Sequence, residues 1–575
     1  VSPARILVHF ACALCSFAER TKVSVLVTTD LHGNLYPHDY FSAKPAERGL
    51  AKIATLIRQE RTRNANTLVI DCGDTIQGAP PEAVFQTYRR AGKLPFRLRF
   101  EGRPLDADPM MLAMSRIGFD AMVVGNHEYN FGLANLERAR KDATFPWLSA
   151  NTVVPDGVIE PFAPYLIKTT GGVKVAIIGI TTPAVPSWEK PENYKGLRFL
   201  PGVEAVQKAL SDLRAKHKPD LVLVAAHAAL DRDLKTGAVR AGETGFENMV
   251  YQIAKQVSGL DAIVFGHSHQ QLEEYILDGV LLHQPRNFGM SVGRVEFDLE
   301  REGNGAWRVI SKSGKLLPVT AAVAADPEIL ELAKPYHELA ERYLNTPVAE
   351  SPDAMDGSLA RVMDTALVDA VHRVQLHYSK ADVSLTALFN PGARFPKGPI
   401  TVRQIAALYI YDNELYAIEG NGRMLREALE NSARYFLSCA DEGCSQGPLI
   451  NRDIIGFNYD MAQGVEYEID LTRPAGERVR NLRFRGKPLD DAQPLRIALN
   501  NYRAAGSAGY SMFRDARVIY KSGVGIRELI VDYYSAQRKL PANPDGNWRI
   551  VPEAARMRLL EEARREAARA AAAMR

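Results

Sequence analysis

The sequence predicts an α/β protein of two large domains, and three observations carry that expectation. Short β-branched runs alternate with stretches whose apolar residues recur at helical spacing, the pattern of a layered domain with a largely buried sheet. The 575 residues exceed what one hydrophobic core organises. Asp, Asn and His residues stand just beyond the carboxyl ends of several strand-like runs, the edge at which open α/β sheets bind ligands.

Taken in order, strands are expected at Val23–Val27, Thr67–Ile70, Ala121–Val124, Val173–Ile180, Leu221–Ala225 and Ala262–Phe265. Helices are expected at Gly49–Arg63, Pro109–Ile117, Leu133–Ala143, Gly202–His217 and Glu247–Val257. Further strands near Tyr275–His283 and Ser291–Leu299 complete a first domain over residues 21–320. Asp326–Leu344 reads as a helix with little core of its own, a linker over 321–347 ended by Asn345-Thr-Pro347. A second domain over 348–545 opens with a long helix, Ser358–His377, followed by a strand at Asp382–Leu388. A helical tail over 546–575, rich in Ala, Arg and Glu, reads as solvated or loosely docked.

Composition bounds the function. Hydrophobic content of 46% and charged content of 24% are ordinary for a globular protein. A net charge of +3 lacks the basic excess of a protein that binds a nucleic acid polymer or an anionic membrane. Ile6 to Ala18, behind Arg5, reads as the apolar region of a signal peptide over 1–20 and is too short to span a membrane. A periplasmic or secreted location is therefore expected. Cys12 and Cys15 lie inside that segment. Cys439 and Cys444 flank a turn-like Asp-Glu-Gly and are read as a local disulfide in preference to two free thiols.

Five of the twelve histidines follow strand-like runs directly. The groups are Asp30-Leu-His32, Gly73-Asp74, Gly125-Asn126-His127-Glu128, His227 and Gly266-His267-Ser-His269. Carboxylate and imidazole suit Zn, Mn, Fe or Co, and one carboxylate can bridge two ions. Two ions about 4 Å apart clamp a phosphoryl oxygen and activate water at neutral pH. A further histidine serves the leaving oxygen. Asp71 and Glu128 read as structural, and Cys72 as a buried thiol.

These motifs, in this order, resemble the calcineurin-like metallophosphoesterases. More narrowly, the chain is similar to the bacterial exported 5′-nucleotidase/2′,3′-cyclic-nucleotide phosphodiesterase family over Val23 to Asp545. The resemblance implies a four-layer αββα sandwich followed by a smaller mixed α/β substrate-binding domain. It implies two divalent metal ions, one held by Asp30, His32, Asp74 and His269. The other is held by Asp74, Asn126, His227 and His267, with Asp74 bridging. His127 matches the catalytic histidine. The family often supports that histidine with an Asp three residues later, where this chain has Asn130.

Tyr411 and Tyr502 match two aromatic rings that sandwich a nucleobase, a mode of binding that tolerates any base. Tyr409, alternating with Tyr411, is expected in the core. Asn413 and Arg503 are candidates for base or sugar contacts, and Arg394 for the phosphate or ribose. Ala508 stands where many 5′-nucleotidases have an acidic residue. The motifs therefore look closest to the 2′,3′-cyclic-nucleotide 2′-phosphodiesterase/3′-nucleotidase branch, acting on a nucleotide as a monomer. A 5′-nucleotidase/UDP-sugar hydrolase is the alternative activity. A non-catalytic nucleotide-binding surface protein is the alternative of another class.

Overall fold

The computed structural model describes residues 19–91, 105, 107–240, 245–303, 305–411, 413–441, 443–541 and 543–573. The expected signal segment Ile6–Ala18, with Cys12 and Cys15, lies outside the described residues.

The first domain is built on two six-stranded sheets. One contains β1 (Arg20–Thr28), β2 (Thr67–Asp71), β3 (Ala121–Val123) and β4 (Trp147–Leu148), all parallel. The other contains β5 (Tyr165–Thr170), β6 (Val173–Thr181), β7 (Leu221–His227), β8 (Ala262–Phe265), β9 (Leu272–Leu277) and β10 (Val280–Gln284). Its strand order is β9-β10-β8-β7-β6-β5. The long hairpin of β11 (Ser291–Arg301) and β12 (Trp307–Pro318) returns antiparallel onto β1 and extends the first sheet.

Alternation along each strand explains the layering. Val23, Val25 and Val27 share one buried cluster with Val175, Ile177, Leu223 and Val264, so the inner faces of both sheets meet there. Leu26, Val69 and Met122 point the other way, into helices α1 (Leu50–Arg63) and α3 (Pro109–Ile117). Ile178, Val224 and Ile263 likewise pack on α5 (Gly202–Lys216) and α6 (Val250–Gln256). Between α1 and α3 runs α2 (Pro80–Ala91), and after α3 comes α4 (Leu133–Asp142). The result is the four-layer αββα sandwich.

Several expectations need correction. Tyr275–His283 is not one strand: Asp278 and Gly279 both have positive φ, at 48° and 82°, and turn the chain between β9 and β10. The helix expected from Glu247 starts at Val250, which leaves Glu247 outside it. The linker helix α7 (Pro327–Leu344) has substantial core: Ile329 and Ala333 join the first domain's helical layer, while Ala340 and Leu344 join the core of the second domain. The long helix placed at Ser358 begins only at Ala366, as α8 (Ala366–Ser379) following the extended Thr365, after a short 3₁₀ turn at Gly357–Leu359.

The second domain centres on a five-stranded sheet that includes β13 (Val383–Ala387), β14 (Glu414–Asn421), β15 (Asp460–Gln463), β18 (Pro494–Asn500) and β19 (Val518–Gly525). A smaller sheet holds β16 (Val465–Asp470) and β17 (Val479–Phe484). Its strand β20 (Trp548–Val551) pairs parallel with β16, so this sheet recruits residues beyond 545. The final helix (Glu553–Ala573) buries Ala555, Leu559 and Leu560 in the same core and is therefore docked, not solvated. Cys439 and Cys444 are disulfide-bonded.

Asp364 and Asp369 at the start of α8 crowd against Asp545, all within 4.8 Å. Burial and the neighbouring Asp364 and Asp545 push the Asp369 carboxyl from 3.8 up to about 7. An acid raised in the folded state binds its proton more tightly there, so stability is lost as pH climbs from the unfolded value through 7. Asp369→Asn is expected to raise the melting temperature at about pH 8 and to leave it nearly unchanged at about pH 4. Equal shifts at both values, read by calorimetry, would exclude this carboxylate repulsion.

Candidate functional site

The carboxyl ends of both parallel strand sets open on the same edge, and the loops leaving them are held in costly conformations. Asp30, His32, Asp74, His267 and His269 all adopt positive φ, between 45° and 75°. Left-handed backbone costs a residue with a side chain roughly 1 kcal/mol or more, and such strain gathers at functional sites. Backbone bonds enforce it here: Asp30 N donates to Gly73 O and His32 N to Asp74 O, both at 2.9 Å. Gly73 permits the close approach of the neighbouring loop, since a Cβ there would stand 2.7 Å from Gly125 N.

Two buried carboxylates frame these loops without facing the site. Asp71 accepts from Thr28 Oγ1, Thr75 Oγ1 and Gly73 N at 2.6–2.8 Å. Glu128 accepts from Asp74 N, Thr75 N and Gly125 N at 2.9, 2.6 and 2.7 Å, and so stitches the second and third strand-end loops together. Both match their structural reading. Cys72 is buried and free.

Seven expected ligands come together in two groups that share Asp74. In one, His32 Nε2 lies 3.0 Å from His269 Nε2 and 3.8 Å from Asp74 Oδ2, and His269 Nε2 lies 3.5 Å from Asp30 Oδ1. In the other, His227 Nε2 lies 3.0 Å from both Asp74 Oδ2 and Asn126 Oδ1, and 3.2 Å from His267 Nδ1. The opposite ring nitrogens identify where the protons are. His227 Nδ1 donates to Cys72 O at 2.8 Å, His32 Nδ1 to Gln77 O at 3.1 Å, and His267 Nε2 to Glu247 Oε1 at 3.1 Å. In the neutral rings the nitrogens facing inward therefore carry lone pairs, and they face one another and the oxygens of Asp74 and Asn126.

Electron-pair donors converging at hydrogen-bond distance, with no proton to share, form a cation site. The electrostatics agree. Burial disfavours charge on His227, yet Asp74 and Asp30 push it up to about 10, so this pocket draws in positive charge, either a second proton on the ring or a cation in that proton's place. Burial alone would raise Asp30, but His269 and His227 hold it at about 2. His32, deeply buried, falls to about 4 and offers a neutral ring. This donor set fits divalent ions.

His127 is set slightly apart. Its backbone N donates to Asp74 Oδ1 at 2.8 Å, while its Nε2 stands 3.9 Å from Asp74 Oδ2 and its side chain is 36% exposed. That places the ring beside the two donor groups and partly open to solvent. Its Nδ1 lies 2.6 Å from Asn130 Oδ1. Glu247, and Trp188 at 5.5 Å ring distance from His267, line the same edge; no spacing or motif pointed to either.

In the second domain, Tyr411 and Tyr502 are two of the few exposed large aromatic residues, at 39% and 43%. Tyr411 packs edge-on against Phe389 and Phe457 at 5.1 and 6.2 Å. The Tyr502 hydroxyl is raised by desolvation of the polar end of its ring and by Glu247 of the first domain, which puts this aromatic loop within electrostatic reach of the edge that carries the donor groups. Tyr409 is buried, as expected.

Both arginines are engaged by groups of the second domain, Arg503 in its interior and Arg394 at its surface. Arg503 is 3% exposed and forms a bidentate pair with Asp460 at 2.9 and 3.1 Å, a bond to Phe457 O at 2.8 Å, and a stack over Tyr510 at 4.6 Å. Its interactions tie β15 to the Tyr502 loop, so it shapes that loop from inside. Arg394 pairs with Asp356 at 3.0 Å and donates to Pro391 O and Ala393 O. Asn413 accepts through its carbonyl from Ile526 N at 2.8 Å. Arg361, which carried no sequence signal, donates to Leu388 O at 3.0 Å beside Tyr411, and its Nε is buried with no hydrogen-bond partner.

Fold and donor set together define a metal-dependent phosphoesterase. Residues 23–271 match the calcineurin-like phosphoesterase family and residues 347–515 the 5′-nucleotidase C-terminal domain. The chain is 31% identical over 92% of its length to a 2′,3′-cyclic-nucleotide 2′-phosphodiesterase/3′-nucleotidase of Haemophilus influenzae, and covers 87% of that protein. It is 27% identical over 93% of its length to the trifunctional nucleotide phosphoesterase YfkN of Bacillus subtilis, of which it spans only 39%. Among solved structures, a candidate 5′-nucleotidase from Staphylococcus aureus superposes with a TM-score of 0.78 at 28% identity, covering 92% of this chain and all of that one. The chain belongs to the calcineurin-like phosphoesterases that carry a 5′-nucleotidase C-terminal domain. The family implies divalent metal ions.

Metal binding should therefore be coupled to stability through Asp74. Mn²⁺ or Zn²⁺ at about 100 times its dissociation constant should stabilise the native chain by roughly 2.7 kcal/mol per site. Asp74→Asn, which weakens both groups at once, should lose most of that gain in a thermal melt. An undiminished metal-induced shift would remove Asp74 from the bridging role.

Proposed function

We propose that the chain is an exported two-metal nucleotide phosphohydrolase, a 2′,3′-cyclic-nucleotide 2′-phosphodiesterase and 3′-nucleotidase. The observation that carries this reading is the convergence of imidazole, carboxylate and amide donor atoms on both sides of Asp74 Oδ2. Asp30, His32, Asp74 and His269 would hold one ion, and Asp74, Asn126, His227 and His267 the other, drawn from Zn, Mn, Fe or Co. When bound, such ions supply Lewis acidity and acidify water for attack on phosphorus.

The chain's own groups do the remainder. His127, exposed beside Asp74, faces the phosphate and serves the leaving oxygen, first the ribose oxygen of the cyclic ester and then that of the 3′-monophosphate. Tyr411 and Tyr502 stack the base, and the buried Arg503–Asp460 pair keeps the Tyr502 loop in shape. The cyclic and 3′-phosphate substrates are favoured by the named activity of the Haemophilus relative. An exported location is supported by the Cys439–Cys444 disulfide, and no helix among the described residues is long and apolar enough to cross a membrane.

Hydrolysis of 2′,3′-cyclic AMP, 3′-AMP and 5′-AMP should be compared on one preparation with its metal content measured. Turnover of the first two is expected. Hydrolysis of 5′-AMP alone would replace this reading with a 5′-nucleotidase, and inactivity on all three with metal bound would replace it with a non-catalytic nucleotide-binding protein. Tyr411→Ala should raise KM about 10-fold with little change in kcat, since a stacked base contributes roughly 1–3 kcal/mol. An unchanged KM would remove Tyr411 from the base site.

A further inference from the structure

Asn130 stands three residues after His127, where a carboxylate would orient the ring, and a carboxylate reaches the same place from another segment. Asn130 Nδ2 donates to Glu189 Oε2 at 2.5 Å, while Asn130 Oδ1 lies 2.6 Å from His127 Nδ1. We propose that Glu189 is a positioning residue which, through the Asn130 amide, keeps the proton of the neutral His127 ring on Nδ1. The inference rests on the role given to His127 above.

The argument is one of donors and acceptors. An ionised carboxylate only accepts, so it obliges Asn130 to turn its NH₂ toward Glu189 and its oxygen toward His127. An amide oxygen facing Nδ1 requires Nδ1–H, so Nε2, the atom nearer Asp74 and the cleft, is the nitrogen that takes the second ring proton and gives it to the leaving oxygen. Asn130 thus passes the orienting effect of Glu189 to the histidine without carrying charge itself.

Glu189 is held for this purpose. Its other oxygen accepts from Lys190 N at 2.7 Å and from Asn193 Nδ2 at 2.8 Å. Asn193 Nδ2 also donates to Asn130 O at 3.0 Å, so the two segments are clipped together at a second point. Lys190 then ion-pairs with Glu414 on β14 and donates to Gly523 O on β19 at 3.3 Å. The segment that presents Glu189 is therefore braced by the second domain, next to the Tyr411–Asn413 loop.

Glu189→Gln tests this with almost no change of shape. The single oxygen of the new side chain satisfies Lys190 N and Asn193, so its NH₂ faces Asn130. The Asn130 amide must then turn over and present N–H to His127 Nδ1, which moves the ring proton to Nε2. In the full chain loaded with Zn²⁺ and labelled with ¹⁵N-histidine, long-range ¹H–¹⁵N spectra should show His127, assigned by loss of its signals in His127→Ala, change from Nδ1–H to Nε2–H. With 2′,3′-cyclic AMP, kcat should fall about 10- to 100-fold at unchanged KM.

Asn130→Asp in the Glu189→Gln background should reverse both effects, because the introduced carboxylate accepts from His127 Nδ1 and from the introduced amide together. Rescue of kcat to within about threefold distinguishes orientation of His127 from a merely structural role of Glu189, since a carboxylate at the Asn130 position cannot replace the bonds to Lys190 and Asn193. An unchanged tautomer in Glu189→Gln, a native kcat, or a double variant no better than Glu189→Gln would each overturn the proposal. Native kcat in His127→Ala would instead overturn the role given to His127, with the tautomer spectra still judging the relay.

Discussion

The structure depends on one constraint: electron-pair donors that cannot hydrogen-bond to one another are packed against Asp74. His227 Nε2 lies 3.0 Å from both Asn126 Oδ1 and Asp74 Oδ2, although the one proton of the neutral ring is committed to Cys72 O on the far side. A folded chain tolerates that arrangement only where a cation replaces the missing protons, or where a proton is taken up against the cost of burial, as the raised His227 records. The neighbouring sequence follows from this. Positive φ at Asp30, His32, Asp74, His267 and His269 turns each side chain back toward the strand ends, and Glu128 and Asp71 bind the backbone N–H groups those turns expose.

A phosphate-specific centre has no means of recognising a nucleoside, and the architecture answers this with a shared helix. α7 places Ile329 and Ala333 in the first domain and Ala340 and Leu344 in the second, so its two halves belong to different cores. Arg403 fixes the junction by binding Glu341 and Asn345 at 2.9 and 3.0 Å, and it also reaches the Tyr40 carbonyl of the first domain. The aromatic loops are thereby carried to the strand-end edge, where Glu247 influences Tyr502 and Lys190 pairs with Glu414. The domain contact lies at the site itself.

The legible parts of the sequence were those with short-range causes. Strands such as Ala262–Phe265 and helices such as Pro109–Ile117 are local in pattern, capped by local residues, and appear where periodicity placed them. The clustering of these Asp, Asn and His side chains was legible because each follows its own strand directly, so strand direction alone brings them to one edge. What failed had long-range causes. Arg503 looked available to a ligand, but Asp460, 43 residues earlier, occupies its guanidinium. The turn at Asp278-Gly279, by contrast, has a short-range cause, an Asp-Gly pair between two apolar runs, which was read through as part of one strand. Glu189 acts across 59 residues through a side chain whose neutrality concealed the connection.

That last case shows how a substitution can move a charge without removing it. At an effective dielectric of about 20, a carboxylate roughly 4 Å from a protonated imidazolium interacts by about 4 kcal/mol, and doubling the distance halves this. Placing the carboxylate one amide further out therefore gives up part of the electrostatic support of His127, while the direction of its Nδ1 proton is retained through the Asn130 oxygen. The same displacement sets negative charge further from the position an anionic phosphate would take beside Asp74 and Asp30. Orientation and charge, which a single carboxylate in place of Asn130 would supply together, are here supplied by two residues on different loops. The loop carrying the charge also carries Lys190, the contact to the second domain, so the support of His127 and the seating of the aromatic loops rest on adjacent residues of one segment.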